Sequence, residues 1–192
     1  YLVVGYLFIM FALVGREFIA LWAGPSYLEA YPIVLLLMAA MLIPLVQNVG
    51  IAILQAMNLN RYRMTAYTIC AMIALAASFP LAVHFGGLGC AVATASSLFI
   101  STGYIMNRYY AKRIHLDIWR FWRNIFSMSK GLLLLAVIAF SLQEYMALSI
   151  SWLHFFELVV MDTVLYTIIM YFVGMNESEK ELVRKILRKL RR

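Results

Sequence analysis

The chain has 192 residues, of which 65% are hydrophobic and only 13% are charged. Soluble domains carry about 25% charged residues, and a water-soluble core of this length could not bury so much apolar surface. The composition therefore excludes an ordinary soluble domain and indicates a membrane protein. The net charge of +7 comes from Lys and Arg in the connectors between apolar segments. That pattern is typical of membrane topology and does not favour nucleic-acid binding.

Six segments are long and apolar enough to form membrane helices, which need roughly 20 residues each. The segments are rich in Leu, Ala, Met and Ile and lack the alternation of strands, and a helix satisfies its own backbone in lipid. We therefore predict an all-α, polytopic transmembrane helical bundle with six membrane helices. The predicted segments are 1–22, 31–57, 63–83, 88–110, 128–148 and 153–173.

Apart from Arg16, every Lys and Arg lies in the connectors that follow the second, fourth and sixth segments, or close to their ends. The connectors 24–30, 84–89 and 144–151 contain none. Because basic residues concentrate on the cytoplasmic side of bacterial membranes, we predict a multi-pass protein of the bacterial cytoplasmic (inner) membrane. Segments one, three and five run outward, and the carboxy terminus is cytoplasmic.

The first segment begins inside an apolar run without a methionine. A secretory signal would need a basic region before its apolar core, so we interpret this run as a membrane helix. We expect the chain to be the carboxy-terminal part of a longer protein. Cys70 and Cys90 lie in apolar stretches and form no framework typical of disulfides or a metal site.

Arg16 is the candidate cation of the first helix. It precedes Trp22 by six residues, so a rise of about 1.5 Å per residue places it roughly 9 Å below the outer boundary of the membrane. One interpretation is that its guanidinium contacts an anionic diphosphate or an acidic sugar in a cavity. The other is that it extends outward to water or pairs with Glu17 or Glu29.

The second segment combines a proline with three amides. Pro44 removes a backbone hydrogen bond and predicts a kink. The spacing of Gln47, Asn48 and Gln55 places these amides on roughly one face of a helix. Facing an aqueous cavity, they would hydrogen-bond sugar hydroxyls; facing another helix, they would hold the two helices together.

A glycine-rich stretch, Phe85 to Gly89, predicts a short outer turn between the third and fourth segments. A nucleotide-binding loop would need a following Lys-Ser or Lys-Thr, and none is present. The small residues of 91–97 allow another helix to approach closely.

Two basic segments are amphipathic. From Asp117 to Phe126 a helical period places the aromatic and aliphatic residues on one arc, so we expect this stretch to lie on the inner leaflet. The tail, 175–192, begins with a candidate N-cap, Asn176, and ends with basic residues. It either binds anionic lipid headgroups or is a solvated tail that reinforces orientation.

Asp162 lies deep in the sixth segment and is the candidate coupling carboxylate. A carboxyl group at this depth could bind and release a proton during transport. Alternatively, it makes a polar contact with the fifth helix or stays neutral. Glu157 follows His154 by three residues and is expected to pair with it.

Four stretches together resemble one family. They are GREFIALWAGPSYLEAYPIVLLL, IPLVQNVGIAILQAMNLNRYR, FGGLGCAVATASS and IMNRYYAKRIHLDIWRFW. Their order and spacing over residues 10–126 resemble the carboxy-terminal half of bacterial polysaccharide or oligosaccharide-lipid flippases. These flippases belong to the superfamily of multidrug, oligosaccharidyl-lipid and polysaccharide exporters.

The resemblance implies two six-helix lobes around a central cavity, with two extra helices in the longer members. Residues 1–110 would be the last four helices of the second lobe, 111–127 a cytoplasmic amphipathic connector, and 128–174 the extra carboxy-terminal helix pair. Residues 175–192 would be the basic amphipathic cytoplasmic tail. The amino-terminal lobe of the same protein would lie outside this chain.

The function implied is translocation of a lipid-linked oligosaccharide, a polysaccharide repeat unit, across the cytoplasmic membrane by alternating access. The implied partners are this lipid-linked saccharide, the phospholipid bilayer, the amino-terminal lobe and the polysaccharide polymerase machinery. The candidate contacts of the substrate are Arg16, Gln47, Asn48 and Gln55.

Other classes of function stay open. A drug or metabolite antiporter of the same superfamily is the closest alternative, and a purely structural membrane module would lack an aqueous cavity. A membrane glycosyltransferase or acyltransferase is less favoured, because the histidines have no metal-type or acid/base spacing and no nucleophile motif appears. We therefore expect no enzyme activity, catalytic residue, cofactor or metal.

Overall fold

A computed structural model describes residues 2–114, 117–145 and 151–171, and this part of the chain is almost entirely helical, without a strand. The prediction of an all-α fold is confirmed for these residues. The α-helices are α1 (Leu2–Trp22), α2 (Ala30–Val46), α3 (Asn48–Ala56), α4 (Asn60–Leu98), α5 (Asn107–Tyr109), α6 (Ile118–Tyr145) and α7 (Trp152–Ile169). A 3₁₀ turn spans Pro25–Tyr27, and π-helical segments span Phe99–Met106 and Tyr110–Ile114.

Within the described residues, four helices are long and apolar enough to cross a membrane, or five if α2 and α3 together form one bent span. The sequence predicted six. The numbers differ because the third and fourth predicted segments are joined without a loop, in one helical run from Asn60 to Ile114. Many large apolar side chains are exposed along the helices, as expected of surfaces that face lipid.

The run from Asn60 to Ile114 folds back on itself at Gly86. In a straight helix Cys70 and Ser97 would lie about 40 Å apart at 1.5 Å per residue, yet the hydroxyl of Ser97 donates a hydrogen bond of 2.9 Å to the carbonyl of Cys70. The run is therefore an antiparallel helical hairpin. We call residues 60–85 its first arm and residues 87–114 its second arm.

The turn of the hairpin depends on two glycines. Gly86 has φ 59° and ψ −140°, a conformation that residues with a Cβ rarely adopt. A Cβ on Gly89 would overlap the carbonyl oxygen of Leu81, so the second arm packs directly on the backbone of the first. The predicted turn at Phe85 to Gly89 is confirmed, and it is tighter than a conventional loop.

The predicted kink in the second segment is also confirmed. The helices α2 and α3 meet at an angle of 48°. The break falls at Gln47, where ψ is 8°, three residues after Pro44. Proline has no backbone N–H and its ring crowds the preceding turn, which weakens the helix at this point.

Most of the described Lys and Arg residues lie at one end of the bundle. Near that end, Leu54, Met106 and Tyr110 form a buried cluster against which the start of α6 packs. The rings of Tyr62 and Tyr109 stack there at 4.2 Å between centroids. We call this the basic end, and its described Lys and Arg residues are Arg61, Arg63, Arg108, Lys112, Arg113, Arg120 and Arg123.

The opposite end, which we call the uncharged end, has no Lys or Arg in the described part of the turns at 23–29 and 84–89. Gly87 lies there beside Ile33 of α2. Helices α1 and α7 run antiparallel between the two ends. Phe18 packs on Phe155 near the uncharged end, at 5.8 Å between centroids, and Tyr6 packs on Tyr166 near the basic end, at 4.4 Å.

One helix spans the boundary predicted at residue 127. Helix α6 begins at Ile118, next to Asp117, whose carboxylate accepts a hydrogen bond of 3.0 Å from the backbone N–H of Arg120. It continues unbroken to Tyr145, so the predicted interfacial stretch and the fifth membrane segment are one helix. The tail, 175–192, lies outside the described residues.

We expect Gly86→Ala to lower the free energy of unfolding by about 1–3 kcal/mol, because the new Cβ strains the turn. Thermal and denaturant unfolding of the purified protein in detergent would measure the loss. Gly103→Ala is the matched control, since its added Cβ meets only the Cδ1 of Ile43, at an ordinary 3.6 Å. Equal stability of the two variants would contradict the proposed role of Gly86.

Candidate functional site

The main candidate site is a buried group of polar side chains where α2 and α3 meet the second arm. Gln47 is only 3% exposed. Its side-chain N–H groups donate to the Oδ1 of Asn107, at 2.7 Å, and to the carbonyl of Thr102, at 3.4 Å. Asn107 in turn donates to the carbonyl of Gly103, at 2.7 Å. We call Gln47, Thr102 and Asn107 the polar node.

Both sides of the polar node depart from regular α-helix. Gln47 occupies the break between α2 and α3, and Thr102 lies in the π-helical segment Phe99–Met106. Irregular backbone at membrane depth is tolerated where it is buried in protein or lines a cavity, and π-helical turns are frequent at functional sites. Two such irregularities face each other here, which makes the polar node a candidate site.

Two buried oxygen atoms of the polar node have no hydrogen-bond partner among the described residues. They are the Oε1 of Gln47 and the Oγ1 of Thr102. Leaving a buried polar group unsatisfied costs about 1–3 kcal/mol, and native structures contain few such groups. The polar node therefore has hydrogen-bonding capacity for a polar group of a ligand, a water or another part of the protein.

The structure separates the three amides that the sequence placed on one face. Gln47 is buried in the polar node, whereas Asn48 and Gln55 are exposed on α3. The bend at Gln47 turns the rest of the segment in a new direction, so helical spacing alone does not relate these residues. The partners of Gln47 are instead Thr102 and Asn107, which the sequence did not single out as site residues.

Arg16 is exposed on α1. Its guanidinium carbon lies 5.9 Å from the centre of the Tyr31 ring, near the outer limit for a cation–π contact. The hydroxyl of Tyr31 donates to the carbonyl of Ala12, at 2.6 Å, which fixes the ring against α1. No ion pair joins Arg16 to Glu17 or Glu29 in the described structure, so its charge is available to an anion.

A groove of about 430 Å³ runs between the two arms of the hairpin. Its apolar lining is interrupted by five hydroxyl groups, so we call it the hydroxyl groove. The tyrosine hydroxyl is buried and has no partner in the described part of the chain. The serine and threonine hydroxyls donate to backbone carbonyls and keep lone pairs that can accept. The five residues are Tyr67, Ser78, Thr94, Ser97 and Ser101.

Asp162 lies apart from these features, on the face of α7 that packs against α1 and α6. It is 1% exposed, and neither of its carboxylate oxygens has a hydrogen-bond partner among the described residues. Helix α7 also carries His154, whose Nδ1 lies 3.8 Å from the Oε2 of Glu157, in the predicted pair. Asp162 thus remains an isolated buried carboxyl group.

The described side chains offer a ligand hydrogen bonds and positive charge. Nowhere in residues 2–114, 117–145 and 151–171 do three His, Cys, Asp or Glu side chains lie close enough together to hold a metal ion. Cys70 is buried, Cys90 is exposed, and both are free thiols. Among the residues singled out from the sequence and their neighbours, the polar node, the hydroxyl groove and Arg16 offer hydrogen bonds or charge to a ligand.

We expect Gln47→Leu to lower the free energy of unfolding by about 1–3 kcal/mol, because it removes the donor to the partly buried Oδ1 of Asn107 and to the carbonyl of Thr102. Unfolding in detergent, monitored by circular dichroism, would measure the change. Gln55→Leu makes the same chemical change at an exposed position of α3 and should be close to neutral. A Gln47→Leu protein as stable as the Gln55→Leu protein would show that the hydrogen bonds of the node contribute little.

The interpretation of these sites rests on the chain itself. Comparison with known proteins finds no matching family model, no similar curated protein and no similar solved structure.

Proposed function

We propose that the chain belongs to a membrane transporter that moves a lipid-linked oligosaccharide across the bacterial cytoplasmic membrane. The observation that carries this proposal is the polar node, where a broken membrane helix faces a π-helical segment. Many transporters place their substrate and ion sites at breaks of this kind, because unwound backbone and polar side chains are available there. A purely structural module has no need of unsatisfied polar atoms in its interior.

The membrane topology in this proposal has six crossings. Each arm of the hairpin is long enough to cross alone, since its 26 or 28 residues extend about 40 Å and the hydrocarbon core is about 30 Å thick. The bent pair of α2 and α3 makes one further crossing, and α1, α6 and α7 make three. The basic end then lies in the cytoplasm, following the usual preference of Lys and Arg.

The substrate class is proposed from the chemistry that the described sites offer and from the resemblance in the sequence. Sugar hydroxyls need many hydrogen-bonding partners, which the hydroxyl groove and the exposed Asn48 and Gln55 offer. A diphosphate linking sugar to lipid needs a cation, and Arg16 is exposed without an acidic partner in the described structure. Alternating access would expose these groups to each side of the membrane in turn.

The organisation implied by the resemblance belongs to the same proposal. Residues 1–110 would contribute the last four helices of a lobe, and 128–174 an additional helix pair. An amino-terminal lobe would complete the cavity, and polysaccharide polymerase machinery would receive the transported unit. The chain would act as a transporter and not as an enzyme.

A drug or metabolite antiporter is the second candidate function, and the isolated carboxyl group of Asp162 is compatible with it. Antiporters commonly couple transport to the binding of a proton or cation by a buried carboxylate. The same group could equally couple the movement of a lipid-linked saccharide. The two candidates therefore differ in substrate and share the proposed coupling.

Deletion of the gene should cause a polyprenyl-linked oligosaccharide to accumulate on the cytoplasmic leaflet while surface polysaccharide falls. Extraction of lipids and quantification of surface glycan would measure both. A wild-type copy and an Arg61→Ala copy should restore the normal pattern, whereas an Arg16→Ala copy should not, because Arg16 lies away from the basic end and Arg61 lies at it. An unchanged lipid pool with normal surface glycan would reject this substrate and favour the antiporter.

Asp162→Asn tests the proposed coupling, because the amide keeps the shape of the side chain but cannot ionise. We expect the variant to fold normally, and transport in vesicles to lose its dependence on an imposed proton or cation gradient. Glu157→Gln is the control, since Glu157 lies on the same helix and is exposed. Gradient-driven transport that is unaffected by Asp162→Asn would remove Asp162 from the mechanism.

A further inference from the structure

A second groove, of about 480 Å³, lies at the basic end of the hairpin, separate from the polar node and the hydroxyl groove. Three tyrosines and three basic residues form most of its lining, and none of its lining residues is acidic. We call it the basic groove. Its polar lining residues are Tyr62, Tyr104, Arg108, Tyr109, Lys112 and Arg113.

The winding of the chain explains why three cations line one groove. In a regular α-helix Arg108 and Arg113 would point about 140° apart, since each residue turns the helix by roughly 100°. The segment Tyr110–Ile114 is π-helical, however. Its hydrogen bonds join residues five apart instead of four, so residues four and five positions after Arg108 both reach the same side. Lys112 and Arg113 therefore line the groove together with Arg108.

The three cations have no acidic partner in the described structure, where the single ion pair found is that of His154 with Glu157. All three side chains are exposed. Lys112 and Arg113 lie four and five residues after Arg108, and like charges this close on one helix face repel each other. The groove therefore concentrates positive charge that an anion would relieve. Arginine guanidinium groups bind phosphate through two parallel hydrogen bonds, and a lysine adds a compact charge.

The tyrosines give the groove a firm wall and place it beside the lipid. Tyr62 of the first arm stacks on Tyr109 of the second arm, at 4.2 Å and only 10° from parallel. This contact holds the two arms together at the groove. Tyr104 is 67% exposed on the outer surface of the second arm, and tyrosines with this exposure are typical of the membrane–water boundary. A ligand would therefore approach from the headgroup region of one leaflet.

We propose that the basic groove binds the phosphate headgroup of an anionic glycerophospholipid from the leaflet at the basic end. Arg108, Lys112 and Arg113 hold the phosphate, and Tyr62 and Tyr104 border the glycerol. Basic pockets between helices at this depth are a recognised setting for anionic headgroups. The site is independent of the transported substrate, since it requires only that the hairpin lie in a bilayer.

The test uses the purified full-length protein in detergent, with native mass spectrometry to count bound lipid and measure its affinity. Phosphatidylglycerol should bind more tightly than phosphatidylcholine, whose headgroup has no net charge. The variant Arg108→Gln, Lys112→Gln, Arg113→Gln should bind phosphatidylglycerol about a hundredfold more weakly. The matched control Arg61→Gln, Arg120→Gln, Arg123→Gln removes the same charge from the same end, outside the groove, and should bind like the wild type.

Two results would overturn the proposal. One is an equal loss of affinity for phosphatidylglycerol in the groove variant and the control, which would show that only the total charge of the basic end matters. The other is displacement of phosphatidylglycerol by an equal concentration of inorganic phosphate, which would assign the groove to free phosphate. If the triple variant fails to fold, the single variants Arg108→Gln and Lys112→Gln should each weaken binding beyond Arg120→Gln, and equal binding would reject the proposal.

Discussion

Every backbone N–H and C=O of a membrane-spanning segment has to find a hydrogen-bond partner within the protein, because lipid tails offer none. Regular helix meets that requirement locally, which is why so few residues between Leu2 and Ile114 lie outside helices. The exceptions are therefore informative. Besides the connectors 23–29 and 57–59, the chain between Leu2 and Ile114 leaves regular α-helix at Gln47, at Gly86 and in two π-helical segments. Three of these four places border a candidate site. The polar node and the basic groove therefore both lie where the chain departs from regular α-helix.

The apolar pattern was sufficient to predict α1 and α7, the first and last helices of the described part. Helix α1 ends at Trp22, where the first predicted segment ends. Helix α7 begins at Trp152, one residue before the predicted segment 153–173, and ends inside that segment. The kink after Pro44 and the turn at Phe85 to Gly89 follow from residues with restricted or unusual backbone preferences. The fusion of the interfacial stretch with α6 was not predicted, because amphipathic and fully apolar periods can continue along one helix without a break in the backbone.

The candidate sites were harder to predict, because they depend on packing between distant segments. Gln47 was singled out from the sequence, but its partners Thr102 and Asn107 lie 55 and 60 residues further along the chain. Helical spacing also misplaced Asn48 and Gln55, since it assumes a straight axis where the chain bends by 48°. The local amino-acid composition does not predict a π-helical turn. The clustering of Arg108, Lys112 and Arg113 in one groove therefore could not be predicted without the backbone conformation.

The loopless turn at Gly86 also constrains how the protein enters the membrane. Residues 84–89 contain no Asp, Glu, Lys or Arg, so in the proposed topology this turn has no fixed charge to carry across the apolar layer. The two arms are joined by this turn and pack on each other through Gly89 and Leu81. In the proposed topology, the hairpin is thus suited to enter the membrane as a single unit.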